Sequence, residues 1–191
     1  MAKIRVWYMS NLGENFYILT PKPQVIFQVQ KWINGQNKNW IKGTVEDGAQ
    51  SRRNSKISWL KQDNTIHELL RSAVNKANKN AGWYYDITGQ DLFQYTEYNI
   101  GDNYNWHLDD FKKPISMGIR KISFIMSLND DYEGGKLYIE EGPPDSPYRI
   151  RKIDLKTGDI LLFPSDTWHK VESVTKGQRR SLVCWYYGKP S

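Results

Sequence analysis

Three side chains of this sequence could hold one metal ion between them: His107, Asp109 and His169. His107 and Asp109 are two residues apart in Trp106-His107-Leu108-Asp109, so on a β-strand both point to one face and offer an imidazole and a carboxylate to a single ion. His169, sixty residues beyond Asp109, would add the third ligand from a strand distant in sequence but adjacent in space. Two neutral imidazoles and one carboxylate on one face of an octahedron leave the opposite positions free, which is the facial arrangement of non-haem Fe(II) oxygenases. A His-x-Asp tripeptide is common by chance and is usually a solvated loop feature, so it gains weight only from the segment C-terminal to His169.

Residues 169–185 read as strand, tight turn at Lys176-Gly177 and returning strand. On the returning strand Arg179, Ser181, Val183 and Trp185 share one face, and Arg180, Leu182, Cys184 and Tyr186 the other. A guanidinium grips a carboxylate bidentately and a hydroxyl two residues on adds a third donor, which is what the far end of a dicarboxylate needs. Two adjacent arginines also suit a solvated or salt-bridged strand edge, and it is the His-x-Asp pair that favours the clamp.

The ordered set Tyr98-x-x-Gly101, His107-x-Asp109, Gly134-Gly135-x-Leu137, Gly158-Asp159-x-x-x-Phe163-Pro164-Ser165, His169-x-Val171 and Val174-Thr175-x-Gly177-x-Arg179 resembles the prolyl-4-hydroxylase-like branch of the 2-oxoglutarate and Fe(II)-dependent dioxygenases. It is especially similar to the small bacterial and phage PKHD-type hydroxylases, over about half the chain, from near Leu92 to Tyr187. The resemblance implies a double-stranded β-helix, with Fe(II) on His107, Asp109 and His169. It implies 2-oxoglutarate with its distal carboxylate on Arg179, Tyr98 beside that cosubstrate, O2 as co-reactant and ascorbate as a candidate accessory reductant. One departure stands out: where animal oxygen-sensing relatives carry a tyrosine on a later strand, this chain places Ser127, and Ser181 or water could complete the pocket instead.

Elements must bring these groups together. Segments near 91–98, 104–109, 119–128, 135–140, 148–153, 159–163, 167–174 and 179–187 supply about the eight strands of a jelly roll, a mainly β fold with flanking helices. Before them, residues 3–9 and 15–20 alternate as strands. Val25, Ile26, Val29, Trp32 and Ile33 recur at helical spacing up to Asn34-Gly35, and Trp40 to Val45 with Ser55 to Leu60 form a strand pair around a turn at 46–50. Asn64 or Thr65 caps a second helix with Ile66, Leu69, Leu70, Ala73, Val74 and Ala77 on its apolar face, and His67 is expected at the surface beside that cap. Asp110 points away from the ligand face. The acidic residues of 130–135 and Asp159 are expected to form turns, and the loop 110–118 with Arg52-Arg53 is expected to form a substrate rim and lid.

The 191 residues fit one domain, with 1–90 as flanking strands and helices and 91–188 as the catalytic β-helix. One cysteine excludes an internal disulfide, the N-terminus lacks a signal-peptide run, and no stretch approaches the ~20 apolar residues of a membrane span, so a cytoplasmic location is expected. Cys184 is expected to be a buried, inert thiol. The net charge of +6 weakly favours a nucleic-acid partner, but the basic residues are scattered in short groups. Peptide or protein substrate, with proline foremost, is the leading expectation. A nucleobase or free small molecule is the second, and a metal-binding cupin-like module without turnover the third. The carboxylate clamp at Arg179 argues against the last. Oligomeric state is not legible in the sequence.

Overall fold

The computed structural model describes residues 15–43, 53–110, 118–142 and 145–189. In chain order the elements are β1 (Tyr17–Leu19), α1 (Pro23–Asn34), β2 (Ile41–Lys42), β3 (Arg53–Asn54), β4 (Lys56–Trp59), α2 (Asn64–Asn80), β5 (Ile87–Gln90), β6 (Gln94–Tyr98), β7 (Asn103–His107) and β8 (Ile119–Ser127). Then come β9 (Glu133–Gly134), β10 (Leu137–Glu140), β11 (Ile150–Ile153), β12 (Ile160–Pro164), β13 (His169–Val171), β14 (Val174–Lys176) and β15 (Arg179–Gly188).

The strands form two facing sheets, the double-stranded β-helix expected from the motifs. The larger runs β1-β12-β8-β15-β6-β4-β2, with β5 pairing on β15, and the smaller runs β11-β10-β13-β7-β3. A third, two-stranded piece joins β14 to β9. Alternation along β8 and β15 explains the layering. Ile122, Phe124, Met126, Leu182, Cys184 and Tyr186 point to the helix side, where they pack with Val29, Trp32 and Ile33 of α1 and Leu70, Val74 and Ala77 of α2. Their strand neighbours face the other sheet, where Ile125 joins Leu137, Ile139, Leu161, Phe163 and Val171 in a second core. The apolar stripe of each helix is thus matched to one face of the large sheet, leaving the other face free to line a cavity.

Several boundaries differ from the sequence reading. The second helix is capped by Asp63, whose Oδ1 accepts from the Ile66 N–H at 3.0 Å, because the cap needs a side chain three residues before that donor. His67 does lie beside the cap, with Nδ1 2.7 Å from the Asp63 carbonyl, but it is buried, edge-on to Trp32 and Phe93. Residues 130–135 are not all turn, since Glu133 and Gly134 pair with β14. The expected strand 167–174 is cut in two, β13 in the small sheet and β14 in the separate pair. The strand predicted at 3–9, the turn at 46–50, Arg52 and residues 111–117 of the predicted lid lie outside the described residues.

Candidate active site

His107 ends β7 and His169 opens β13, and the antiparallel register of these strands places the two residues directly opposite each other. Their ring centroids are 4.0 Å apart. Asp109 lies just past the end of β7, turned inward because its N–H and that of Asp110 both donate to the Ser165 carbonyl, at 2.9 and 3.0 Å. All three side chains are buried, and one ligand atom from each falls within 4.8 Å of the others.

Proton positions are set by the partners. His107 Nδ1 is 2.7 Å from the Asn105 carbonyl and His169 Nδ1 is 2.9 Å from the Thr167 carbonyl. A carbonyl can only accept, so each Nδ1 carries a proton and each neutral ring keeps its lone pair on Nε2. Those lone pairs face the carboxylate: His107 Nε2 is 3.7 Å from Asp109 Oδ1 and His169 Nε2 is 3.4 Å from Oδ2. Burial, reinforced by the neighbouring His169, lowers the pKa of His107 from 6.5 to about 3. Burial by itself would raise that of Asp109, but the flanking imidazoles and a hydrogen bond from Ser123 hold it below its ordinary value. Two nitrogen lone pairs and an ionised carboxylate converging out of water repel one another unless a cation lies between them, and this donor set fits Fe(II). The ring planes are fixed by packing. Tyr104 stacks on His107 at 3.4 Å and 9°, and Phe163 meets His169 edge-on at 4.7 Å.

Across the cavity lies Arg179, only 3% exposed. It sits in β15 opposite Tyr98 of β6, with its guanidinium 5.4 Å from that ring. Nη1 donates to Ser181 Oγ at 3.3 Å, whereas Nε is buried without a partner, and no acidic side chain pairs with Arg179 among the described residues. A Cβ on Gly135, at φ +55°, would come within 3.2 Å of Arg179 Cδ, so glycine there leaves room for the arginine stem. Arg180 lies on the opposite face, its N–H held by Asn129 Oδ1 at 2.7 Å. Tyr98, His107, Asp109, His169, Arg179 and Ser181 line one cavity that opens to solvent. Ser127 faces the same way, but its hydroxyl donates to the Asn129 carbonyl at 2.9 Å and is turned from the cavity.

The sequence reading placed Arg53 on the rim, and the structure corrects this. Arg53 is buried in the cavity wall, donating to Ser55 Oγ at 2.8 Å and Gln94 Oε1 at 2.9 Å, with its guanidinium 4.8 Å from the Tyr104 ring. Arg53, Ser55 and Ile57 alternate in phase into a buried position, which was the available signal. Gln94, Tyr104 and Trp185 also line the cavity and were not singled out as site residues.

The metal-binding donor set, the opposed buried guanidinium and the two-sheet frame together define a class of oxygenase, and comparison with known proteins agrees. Residues 93–187 match the family described as the 2OG-Fe(II) oxygenase superfamily. The chain is 27% identical over 168 residues to a PKHD-type hydroxylase of Gloeothece citriformis, covering 86% of this chain and 73% of that protein. It is 35% identical over 168 residues to a PKHD-type hydroxylase of Psychrobacter, covering 83% and 62%. A prolyl hydroxylase of Trichoplax adhaerens, solved with a peptide fragment of hypoxia inducible factor, superposes with a TM-score of 0.65 at 22% identity, covering 91% of this chain and 84% of the other. The chain belongs to the 2OG-Fe(II) oxygenase superfamily. It is accordingly an oxidoreductase that uses Fe(II), 2-oxoglutarate and O2.

Proposed function

We propose that this oxygenase hydroxylates a residue of a peptide or protein, with proline as the first candidate. His107, Asp109 and His169 would hold Fe(II), and Arg179, Ser181 and Tyr98 would hold 2-oxoglutarate. The carrying observation is the pairing, within one cavity lined by buried side chains, of a lone-pair triad that calls for a cation with a guanidinium that has no acidic partner among the described residues and calls for an anion. A binding module without turnover has no use for the second group. Bound there, Fe(II) and 2-oxoglutarate supply oxidative decarboxylation to succinate coupled to oxygen insertion into a C–H bond.

The protein groups position and exclude. Asn105 and Thr167 carbonyls hold the imidazoles in the ligating tautomer. Arg179, itself buried, would orient the cosubstrate from its far carboxylate, while the apolar lining at Leu137 and Val171 limits access of water to the reacting centre. Arg53 presents a second buried guanidinium to the cavity, suited to a carbonyl or carboxylate of the substrate. The peptide reading draws on the prolyl hydroxylases among the structural neighbours, one of them solved with a peptide. The basic balance gives little support to a nucleic-acid substrate, because on the small sheet Arg149 pairs with Glu140, Arg151 with Glu141, Lys152 with Asp154 and Lys170 with Glu172. Among the described residues no helix is long and apolar enough to cross a membrane. With one cysteine, Cys184, and no disulfide to preserve, we place the enzyme in the cytoplasm.

The test is succinate production from Fe(II) and 2-oxoglutarate, followed by mass spectrometry for a 16 Da gain on proline-containing peptides, host proteins and oligonucleotides. A gain on prolines supports the proposal. Succinate without any peptide product, or a gain confined to oligonucleotides, overturns the substrate assignment.

A further inference from the structure

We infer that Ser123, backed by Ser165, orients the Asp109 carboxylate toward the metal position by holding one of its oxygens, Oδ2, in place. The inference rests on the proposed ligand assignment of His107, Asp109 and His169.

Ser123 lies in β8 with its side chain directed into the sandwich, opposite Trp185 of β15 and Phe163 of β12, and it is wholly buried. Its Oγ is 2.7 Å from Asp109 Oδ2 and 3.0 Å from Ser165 Oγ, a second buried hydroxyl. A hydroxyl has one proton, and an ionised carboxylate can only accept. The Ser123 proton therefore goes to Asp109, and Ser165 must donate to Ser123. Donor count thus sets the direction of the chain, from Ser165 through Ser123 to Asp109. Ser165 also accepts the N–H groups of Asp109 and Asp110 on its carbonyl, at 2.9 and 3.0 Å. One residue thus fixes the ligand's backbone and orients the hydroxyl that fixes its side chain.

Held at Oδ2, the carboxylate presents Oδ1 3.7 Å from His107 Nε2 and Oδ2 3.4 Å from His169 Nε2, so that it faces both imidazoles. Without that bond the carboxylate is free to turn about its terminal torsion, and the three donors no longer converge. Buried hydrogen bonds to a carboxylate are charge-assisted and strong, so Oδ2 is not readily released while Ser123 is present. Ser123 and Ser165 are positioning residues, acting through Asp109.

The experiment uses the full chain loaded with Co(II), with three readouts: the visible Co(II) spectrum, the affinity of the Co(II)-loaded protein for 2-oxoglutarate, and the thermal midpoint of the metal-free protein. We expect Ser123→Ala to unfold close to the wild-type temperature, alter the Co(II) spectrum and bind 2-oxoglutarate about tenfold more weakly or worse, in the range that lost outer partners of metal ligands cost. Ser123→Thr, which keeps the hydroxyl, should bind 2-oxoglutarate within about threefold of wild type by the same reasoning. Ser165→Ala should shift the same readouts in the same direction by less, and it carries the test if Ser123→Ala does not fold. A wild-type spectrum and wild-type 2-oxoglutarate affinity in Ser123→Ala, or Ser123→Thr no better than Ser123→Ala, overturns the inference while leaving the ligand assignment intact. A wild-type protein that binds no Co(II) defeats both.

Discussion

Asp109 and His107 are poised for metal at neutral pH, and the same burial makes the metal-free protein sensitive to acid. The folded pKa of His107 is about 3 against an ordinary 6.5, so between these values the unfolded chain binds a proton that the native state refuses. Stability of the metal-free protein is therefore complete above about pH 6.5 and declines as pH falls toward 3, by at most about 1.4 kcal/mol per pH unit for one proton. Asp109, with its lowered pKa, adds a loss of the same sign at still lower pH. Urea unfolding at pH 7 and pH 5 checks this, and a stability that rises on acidification would contradict it. Replacing His107 or Asp109 with Ala should abolish iron-dependent succinate formation, since two remaining ligands fix neither affinity nor geometry. Arg179→Ala should raise the 2-oxoglutarate requirement about tenfold to a hundredfold, the worth of charge-assisted hydrogen bonds, and Arg180→Ala should change it by less than about twofold. The reverse ranking would mean that Arg180, not Arg179, serves the cavity.

Among the elements, β15 does most to define the site. It lies between β8 and β6 and gives one face to the helices and the other to the cavity, so Arg179, the proposed carboxylate clamp, and the core at Leu182, Cys184 and Tyr186 lie on alternate faces of one strand. Burial among those apolar neighbours pushes the Cys184 thiol well above its ordinary pKa. An aromatic disulfide reagent at pH 8 should leave the native thiol unmodified and label it fully in denaturant; rapid native labelling would show that this face opens. The start of α2 tests a different element. Asp63→Ala removes the acceptor for Ile66 N–H and should cost about 1 kcal/mol, seen as a fall of about 2–4 °C in thermal midpoint, with little change in metal binding because the cap is on the helix side. A drop in metal affinity as large as that in stability would show the two layers to be coupled.

At the scale of the whole molecule, the two sheets enclose charges that repel their own kind: a carboxylate with two imidazole lone pairs, and the guanidiniums of Arg53 and Arg179, all on buried side chains. Such a cavity is costly when empty and favourable when filled, so its ligands should stabilise the fold by mass action. Mn(II) and 2-oxoglutarate together should raise the thermal midpoint more than Mn(II) alone. In Arg179→Ala the increment from Mn(II) should persist and that from 2-oxoglutarate should shrink, as differential scanning fluorimetry would show. Equal increments in both proteins would separate Arg179 from the cosubstrate.

The sequence by itself determined the features that depend on spacing and type. The pairing of Asp109 with His107 was legible from their spacing, although β7 ends at His107 and it is the bond from the Asp109 N–H to the Ser165 carbonyl that turns the carboxylate inward. His169 at the head of a strand and Arg179 in phase with Ser181 were legible because strand alternation is a local rule that tertiary packing preserved. The helices at Val25–Ile33 and Ile66–Ala77 were legible for the same reason, each carrying an apolar stripe matched to the sheet. Only the tertiary structure decided the features that depend on register between distant strands. Arg53 reaches the cavity because β3 pairs with β7, and Ser123 reaches Asp109 because β8 runs beside β12, whose last residue leads directly into Ser165. His67 is buried because Trp32 of α1 and Phe93, just before β6, close over it. A strand's own pattern says which face a side chain takes, but the partner across the sandwich is chosen by hydrogen-bond register between segments tens of residues apart, and no local spacing records that choice.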